Sequence, residues 1–298
     1  MKKCAVLYNP KSGKQQFSNY IDYVTKKLEN KGYEVQVFAT KSKEDVIEKA
    51  KILSQSIELL IVSGGDGTLN DVINGLMMGN PNIKLGYIPA GTTCDVAHTF
   101  YIPKNIEKAL DIILNEKVKC IDLMKVNDRY SIYVCGAGAY IDVSYSTSSK
   151  LKKYLGHLAY IASGVYDFFT IPKMNMTIKC DDFEIKDKFS MVLFINSKRV
   201  AGIRMIKCPK LNDGLIDVVL YKFKPLLNNL IFGLSFLFPN LKLKLVKRIK
   251  AHKIEVTSDY KKPWTVDGEI GDIGNLKLKV VKQKVNFIVP DKVVNKYF

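Results

Sequence analysis

The sequence predicts an α/β protein with a parallel-sheet α/β domain over residues 1–122 and a β-rich, sandwich-like domain over residues 123–298. Before residue 122, apolar β-prone runs alternate with helical segments, which is typical of a parallel sheet with crossover helices. After it, strand-like runs follow one another with few helices between them. The charge divides at the same place, since residues 1–122 hold 16 basic and 14 acidic residues and residues 123–298 hold 30 and 15.

The elements of the first half alternate in type along the chain. Short apolar runs predict strands, and apolar residues spaced three and four apart predict helices. In order, these patterns predict strand 4–8, helix 17–28, strand 33–38, helix 44–53, strand 59–62, helix 69–78, strand 85–88 and helix 106–114. Because short loops join them, we expect the strands to lie in one parallel sheet.

The second half is dominated by strand patterns. They cover residues 130–135, 174–180, 191–196, 216–221, 254–258 and 276–288. Helical patterns cover only residues 154–169 and 226–238. We leave open that the C-terminal tail packs back on the first domain.

Composition narrows the class of protein and its partners. The 298 residues are 47% hydrophobic and 25% charged, which excludes wholesale disorder and coiled coil. The net charge of +17 favours anionic membranes, phosphorylated ligands or nucleic acid as partners. None of the six cysteines forms a CxxC pair, and no apolar run reaches the roughly 20 residues that span a bilayer. We therefore predict a cytoplasmic protein.

The strongest motif is Ser-Gly-Gly-Asp-Gly-Thr-Leu-Asn over residues 63–70, which follows a predicted strand and opens a helix. Glycines there let a ligand approach the backbone, and the N–H groups of a helix N-terminus bind phosphate. Asp66 would repel an anion, so its presence implies Mg²⁺ or a proton to relay. The alternative is a tight strand-to-helix turn with Asp66 near the N-cap.

Two further loops follow predicted strands. They are Asn-Pro-Lys-Ser-Gly-Lys over residues 9–14 and Pro-Ala-Gly-Thr-Thr-Cys-Asp over residues 89–95. Either loop alone is more typical of a surface turn. In a parallel sheet, however, all three loops lie at the carboxyl edge, where ligands bind.

Together these motifs resemble the catalytic domain of the diacylglycerol kinase family, and the resemblance covers essentially the whole chain. It rests on Asn-Pro-x-Ser-Gly at 9–13, Gly-Gly-Asp-Gly-Thr at 64–68 and Gly-Thr-x-x-Asp at 91–95. It continues through Leu-Asn-Asp-Gly-Leu-Ile-Asp at 211–217 and Val-Asp-Gly-Glu at 266–269. Cys94 departs from the family, which usually has Asn there, and residues 196–204 are less rich in glycine.

The resemblance implies a role for each matching residue. Asp66 and Glu269 would be catalytic, with Glu269 as the proton acceptor. Asp66, Asp95 and Asp122 would form a water-linked magnesium network. A structural Mg²⁺ would be held by the Asp213 side chain and the carbonyls of Lys210 and Leu215. ATP contacts would come from Asn9, Pro10, Lys11, Ser12, Gly13, Thr40, Gly64, Gly65, Asp66, Gly67, Thr68, Leu69, Asn70 and Thr92.

The resemblance thus implies an ATP- and Mg²⁺-dependent kinase that phosphorylates a lipid alcohol, with diacylglycerol as the first choice and phosphatidic acid as its product. Basic residues at 150–153 and 242–253 favour peripheral contact with an anionic membrane, where that lipid resides. We expect no nucleic-acid partner and leave a homodimer open. The alternatives are an NAD kinase-like enzyme and a non-catalytic protein that binds anionic lipid or nucleic acid.

Overall fold

The computed structural model describes residues 2–13, 16–140, 171–225, 227–238 and 241–298. The predicted α/β class is confirmed, with parallel strands in the first half and a β-rich second half. The helix predicted at 154–169 and the lysines at 150–153 lie outside the described residues.

Every element predicted for the first half is present. A 3₁₀ turn over Phe17–Tyr20 precedes the first helix, and one short helix, α4, follows the third loop although no pattern predicted it. The elements are β1 (Lys2–Tyr8), α1 (Ile21–Glu29), β2 (Tyr33–Ala39), α2 (Lys43–Leu53), β3 (Leu59–Gly64), α3 (Asp66–Met78), β4 (Lys84–Pro89), α4 (Asp95–Thr99) and α5 (Ile106–Leu114). The strands pair in parallel in the order β2-β1-β3-β4.

The second half contains more strands than the patterns predicted. Its strands are β5 (Val118–Val126), β6 (Arg129–Ser131), β7 (Val134–Gly138), β8 (Met174–Cys180), β9 (Phe183–Ile195), β10 (Arg199–Val200), β11 (Ile203–Arg204), β12 (Ile216–Lys222), β13 (Val246–Ala251), β14 (Lys253–Ser258), β15 (Pro263–Val266), β16 (Glu269–Ile273) and β17 (Leu276–Ile288). Its described helices are α6 (Asn228–Leu237) and α7 (Asp291–Tyr297). All strand pairs within this half are antiparallel.

Strand β17 joins the two halves into one continuous sheet. It pairs antiparallel with β14 and β5, and its last residues pair parallel with β4. Strand β5 includes residue 122, so the chain passes from one half to the other within a strand.

The core lies on both faces of this sheet. In the first half, β3 is buried along its whole length, as expected for a strand covered by helices on both faces. In the second half, alternate residues of β8 are buried, and Trp264 is fully enclosed beside Phe194. The loops after β1, β3 and β4 emerge at one edge, next to the β15–β16 hairpin.

Candidate active site between the two halves

The three predicted loops lie against one another. A Cβ added at Gly13, which has a φ of +52°, would lie 1.9 Å from the carbonyl oxygen of Ala90. A Cβ at Gly91 would lie 2.7 Å from the Cα of Gly65. Glycine is therefore required where the first loop meets the third and where the third meets the second.

A cavity of about 350 Å³ lies over the first two loops and the start of α2. We call it the polar cavity, because its lining includes Asn9, Ser12, Thr40 and Thr68. The Asn9 amide donates to the Thr68 hydroxyl at 3.5 Å, and the Thr40 hydroxyl donates to the Tyr8 carbonyl at 3.2 Å. Backbone N–H groups at the start of α3 adjoin this cavity and suit a phosphate group.

A second cavity, of about 260 Å³, lies on the other side of the glycine loop. We call it the apolar cavity, because Val134, Leu193, Val200 and the rings of Tyr133 and Tyr140 line it. It shares two glycines of the second loop, at positions 65 and 67, with the polar cavity. The two cavities therefore adjoin at the glycine loop.

Glu269 is presented to the polar cavity by the hairpin between β15 and β16. Asp267 and Gly268 have φ values of +51° and +81°, which is the type I′ geometry of a two-residue hairpin loop. The Glu269 carboxylate forms an ion pair with Lys43 and lies 3.2 Å from a guanidinium nitrogen of Arg129. The same guanidinium donates to the Ile270 carbonyl at 2.9 Å, which fixes its direction.

Asp267, two residues earlier, has a structural role instead. It is fully enclosed and accepts hydrogen bonds from the Ser131 hydroxyl and from the backbone N–H groups of residues 132–134, at 2.8–3.1 Å. With its amide turned to donate, Asn70 lies 3.0 Å from the same carboxylate. Burial raises the pKa of Asp267 to about 6. This carboxylate ties the hairpin, and with it Glu269, to α3 and β7.

Two charged residues of the polar cavity were not predicted from the sequence. Asp71, on α3, is only 6% exposed, and its carboxylate lies 3.6 Å from the Lys43 ammonium. Burial raises the pKa of Asp71 to about 7; the charge of Glu269 acts in the same direction, whereas Lys43 lowers it. Lys43 thus stands between two carboxylates. Their positions in the sequence could have indicated both residues. Asp71 directly follows the glycine motif, and Lys43 begins α2 three residues after Thr40.

Asp66 and Asp95 lie together at the junction of the second and third loops. The Asp66 carboxylate accepts the N–H groups of Asp95 and Val96 at 2.8 and 3.2 Å, and so caps α4. Burial raises the pKa of Asp66 to about 7, and the Asp95 charge adds to this. Asp95 itself accepts the Gly202 N–H at 3.0 Å. Asp66 therefore does cap a helix N-terminus with its side chain, but that helix is α4 and not α3, the helix that Asp66 itself begins.

Asp122, the third predicted member of the acidic network, is engaged elsewhere. Its two carboxylate oxygens accept the N–H groups of Gly214 and Gln283 at 2.6 and 2.8 Å. No group of three or more His, Cys, Asp or Glu side chains within the described ranges is arranged to hold a metal ion. Asp66 and Asp95 both line the apolar cavity at the glycine loop rather than the polar one. Two carboxylates there would suit Mg²⁺ that arrives with a nucleotide, because such ions use one or two carboxylates besides phosphates and water.

In the loop predicted to hold a structural Mg²⁺, the aspartate pairs with a lysine side chain. The Asp213 carboxylate lies 2.7 Å from the Lys250 ammonium and accepts the Leu215 N–H at 3.1 Å. Nδ1 of His252 lies 2.7 Å from the Gly214 carbonyl. A metal ion bound by Asp213 and the carbonyls of Lys210 and Leu215 would have to compete with Lys250, so this site remains a prediction.

The remaining residues predicted to contact ATP lie in three different places. Pro10, Lys11, Gly13 and Gly64 belong to the converging loops. Thr92 lines the apolar cavity rather than the polar one. The Leu69 side chain is fully buried in the core, so only its backbone could meet a ligand.

A glycine-rich strand-to-helix turn beside buried carboxylates, with adjoining polar and apolar cavities, is the arrangement expected of a phosphotransferase. Residues 3–126 match the diacylglycerol kinase catalytic domain family. The diacylglycerol kinase of Staphylococcus carnosus is 32% identical over 298 residues, covering 99% of this chain and 97% of that protein. The chain therefore belongs to the diacylglycerol kinase family and is a lipid kinase. This result argues against both alternatives raised from the sequence, an NAD kinase-like enzyme and a non-catalytic binding protein.

Other relatives agree with this assignment. The diacylglycerol kinase of Bacillus subtilis is 31% identical over 275 residues, covering 91% of each chain. A crystal structure of a diacylglycerol kinase from Bacillus anthracis superposes with a TM-score of 0.82 at 24% identity, covering 98% of this chain and 99% of that one, and shows the shared fold. Within the described residues, no helix is long and apolar enough to cross a membrane.

Proposed function

We propose that this lipid kinase transfers the γ-phosphate of ATP to the hydroxyl of a membrane lipid alcohol, with diacylglycerol as substrate and phosphatidic acid as product. The observation that carries the proposal is the position of the β15–β16 hairpin. Glu269 lines the polar cavity while its neighbour Gly268 lines the apolar one. The nucleotide and the lipid would thus meet at the glycine loop, beside a carboxylate.

The polar cavity suits the triphosphate of ATP. Backbone N–H groups of the first two loops and the hydroxyls of Ser12 and Thr68 supply neutral donors. Mg²⁺ held through water by Asp66 and Asp95 would neutralise charge on the transferred phosphoryl group. Phosphoryl transfer depends mainly on such alignment and charge stabilisation.

Glu269 is the candidate general base for the lipid hydroxyl. A hydroxyl becomes an effective nucleophile when a base accepts its proton as it attacks. In the structure, the Lys43 ammonium pairs with this carboxylate. A triphosphate in the same cavity would draw Lys43 towards its own negative charge and leave Glu269 free to accept the proton, while Arg129 keeps it in place.

The test combines a substrate panel with one substitution. Purified protein is given labelled ATP and vesicles that contain diacylglycerol, monoacylglycerol, ceramide or a sphingoid base, and the labelled lipid is identified by mass spectrometry. We expect diacylglycerol to be the best acceptor. Glu269→Gln should lower turnover roughly 10²–10⁴-fold and leave ATP affinity nearly unchanged, because Gln keeps the size but cannot accept the proton.

Glu255→Gln is the matched control, because Glu255 lies on β14 and pairs with Lys253 outside both cavities. Its turnover should equal that of the wild type. Near-normal turnover in Glu269→Gln would remove this residue from the mechanism. With NAD added to the same assay as a competing acceptor, labelled NADP in place of labelled lipid would refute the proposed substrate class.

A further inference from the structure

An apolar surface surrounds helix α6. Residues 225–241 contain no charged residue. The side chains of five described residues in this stretch are exposed by 43–75%, namely Leu227, Leu230, Leu237, Phe238 and Leu241. We call these five residues the leucine face. Leu230 and Leu237 are seven positions apart on α6 and so lie on one side of the helix. An exposed apolar patch edged by polar residues marks an interaction site.

The opposite side of α6 is firmly attached to the protein. The Asn228 amide donates to the Ser190 hydroxyl at 2.9 Å and to the Lys222 carbonyl at 3.0 Å. The Ser235 hydroxyl lies 2.7 Å from that of Tyr221. Because Phe232 is also buried on this side, the helix has its own anchorage in the core and the leucine face is left for another contact.

Helix α6 also adjoins the apolar cavity. Tyr140, which lines that cavity, donates its hydroxyl hydrogen to Oδ1 of Asn229 at 2.7 Å. The Tyr140 ring meets the Phe232 ring edge-on, with the centroids 5.3 Å apart. A surface docked on α6 would therefore lie beside the cavity proposed for the lipid.

The charged residues that flank the leucine face along the chain have one sign. Lys224 precedes α6 and Lys242 and Lys244 follow it, and all three are exposed. No acidic residue occurs between Asp217 and Glu255. Exposed apolar side chains edged by lysines complement a bilayer with anionic headgroups, because the apolar groups enter the acyl boundary while ammonium groups remain at the headgroups.

We propose that the leucine face of α6 is the docking surface for an anionic bilayer, with Lys224, Lys242 and Lys244 at the level of the headgroups. Docking there would bring the bilayer beside the apolar cavity, so that a lipid alcohol would have a short path into it. This inference rests on the proposed lipid substrate, but vesicle binding tests it without any turnover.

The first experiment compares two double variants by sedimentation with vesicles of phosphatidylcholine and phosphatidylglycerol. Leu230→Ser/Leu237→Ser should bind about tenfold or more weakly than the wild type, because each leucine loses its apolar transfer energy. The control is Ile52→Ser/Met78→Ser, since Ile52 and Met78 are each 60% exposed, as is Leu230, but lie on α2 and α3. The control should bind like the wild type.

Kinase assays separate this inference from the proposed function. Against long-chain diacylglycerol in vesicles, the α6 variant should lose activity in parallel with binding. Against a short-chain diacylglycerol dissolved as monomers, it should match the wild type. If the wild type phosphorylates no lipid but still binds vesicles through α6, the proposed substrate fails and the docking surface stands.

A second experiment detects the contact directly. Tryptophan fluorescence of Leu237→Trp should be quenched by vesicles of brominated phosphatidylcholine mixed with phosphatidylglycerol, whereas Ile52→Trp should not respond; the native Trp264 is fully buried and gives a constant background. Equal vesicle binding by both serine variants would overturn the proposal. So would a dimer that dissociates in the α6 variant while vesicle binding persists, because the face would then belong to a second copy of this chain.

Discussion

Asp71 offers a quantitative test of the electrostatics of the polar cavity. It is buried, close to a second carboxylate, and faces one ammonium at 3.6 Å. Replacing it with Asn keeps the shape and removes the charge. Because burial raises the pKa of Asp71 from 3.8 to about 7, the ionised form costs the folded protein free energy that the unfolded chain does not lose.

The sign and size follow from linkage. A carboxyl whose folded pKa is raised contributes stability that is present below its unfolded pKa and is lost as the pH rises through its folded value. Between pH 5 and pH 8, the wild type should lose on the order of 2–3 kcal/mol of unfolding free energy through Asp71 alone. With roughly 2.1 cal/mol/K of unfolding entropy per residue, this corresponds to roughly 4 °C in Tm for a chain of 298 residues.

The assay is thermal unfolding of the nucleotide-free protein at pH 5, 6, 7 and 8, for the wild type, Asp71→Asn and the control Asp111→Asn. Asp111 is an exposed helical aspartate on α5. The Tm of Asp71→Asn minus that of the wild type should rise by roughly 4 °C across this range, while the control difference stays level. A constant or falling difference would refute the reasoning, because it would show that Lys43 stabilises the ionised form more than burial disfavours it.

Three further substitutions test other parts of the site. Lys43→Met should raise the KM for ATP and steepen the loss of Tm between pH 5 and pH 8, because Lys43 lowers the pKa of Asp71; an unchanged KM and pH profile would place Lys43 outside the mechanism. Lys250→Met should make the Tm respond more strongly to added Mg²⁺ than that of the wild type, because it frees the Asp213 carboxylate; equal responses would argue against a cation site in that loop. Cys94→Asn should raise the Tm by a few degrees without loss of turnover, because Cys94 has a φ of +53° and Asn tolerates that conformation better; a lower Tm would show that the amide does not fit beside Gly91.

The sequence predicted the parts of the site that depend on local pattern. The glycines at 64–67 follow a short apolar run, and both signals are contained in a few consecutive residues. The hairpin at Asp267 and Gly268 was also recognisable, since both residues are common where φ is positive. The hairpin also presents Glu269 to the polar cavity. Only the resemblance pointed to a role for Glu269, because a hairpin sequence alone does not specify what its flanking strands face.

The parts that escaped prediction depend on contacts between distant segments. Lys43 and Glu269 are separated by 226 positions in the chain and meet only because β17 carries the β-rich half back onto β4. Strand β5 was missed because its apolar run is interrupted by Lys119 and Asp122. The resemblance implied a water-linked network of Asp66, Asp95 and Asp122, but it did not indicate that the Asp122 carboxylate accepts the N–H groups of Gly214 and Gln283.

The position of the basic residues on the surface also could not be predicted from the sequence. The basic residues between 242 and 253 form one cluster in the sequence, yet the strand geometry of β13 and β14 distributes them. Arg248 donates to the Met205 carbonyl and the Ser235 hydroxyl, and Lys250 and Lys253 pair with acidic side chains. Lys242 and Lys244 directly follow the leucine face in the chain and are exposed. A cluster counted along the chain is therefore divided by the fold, and the docking surface proposed above includes only Lys242 and Lys244 from it.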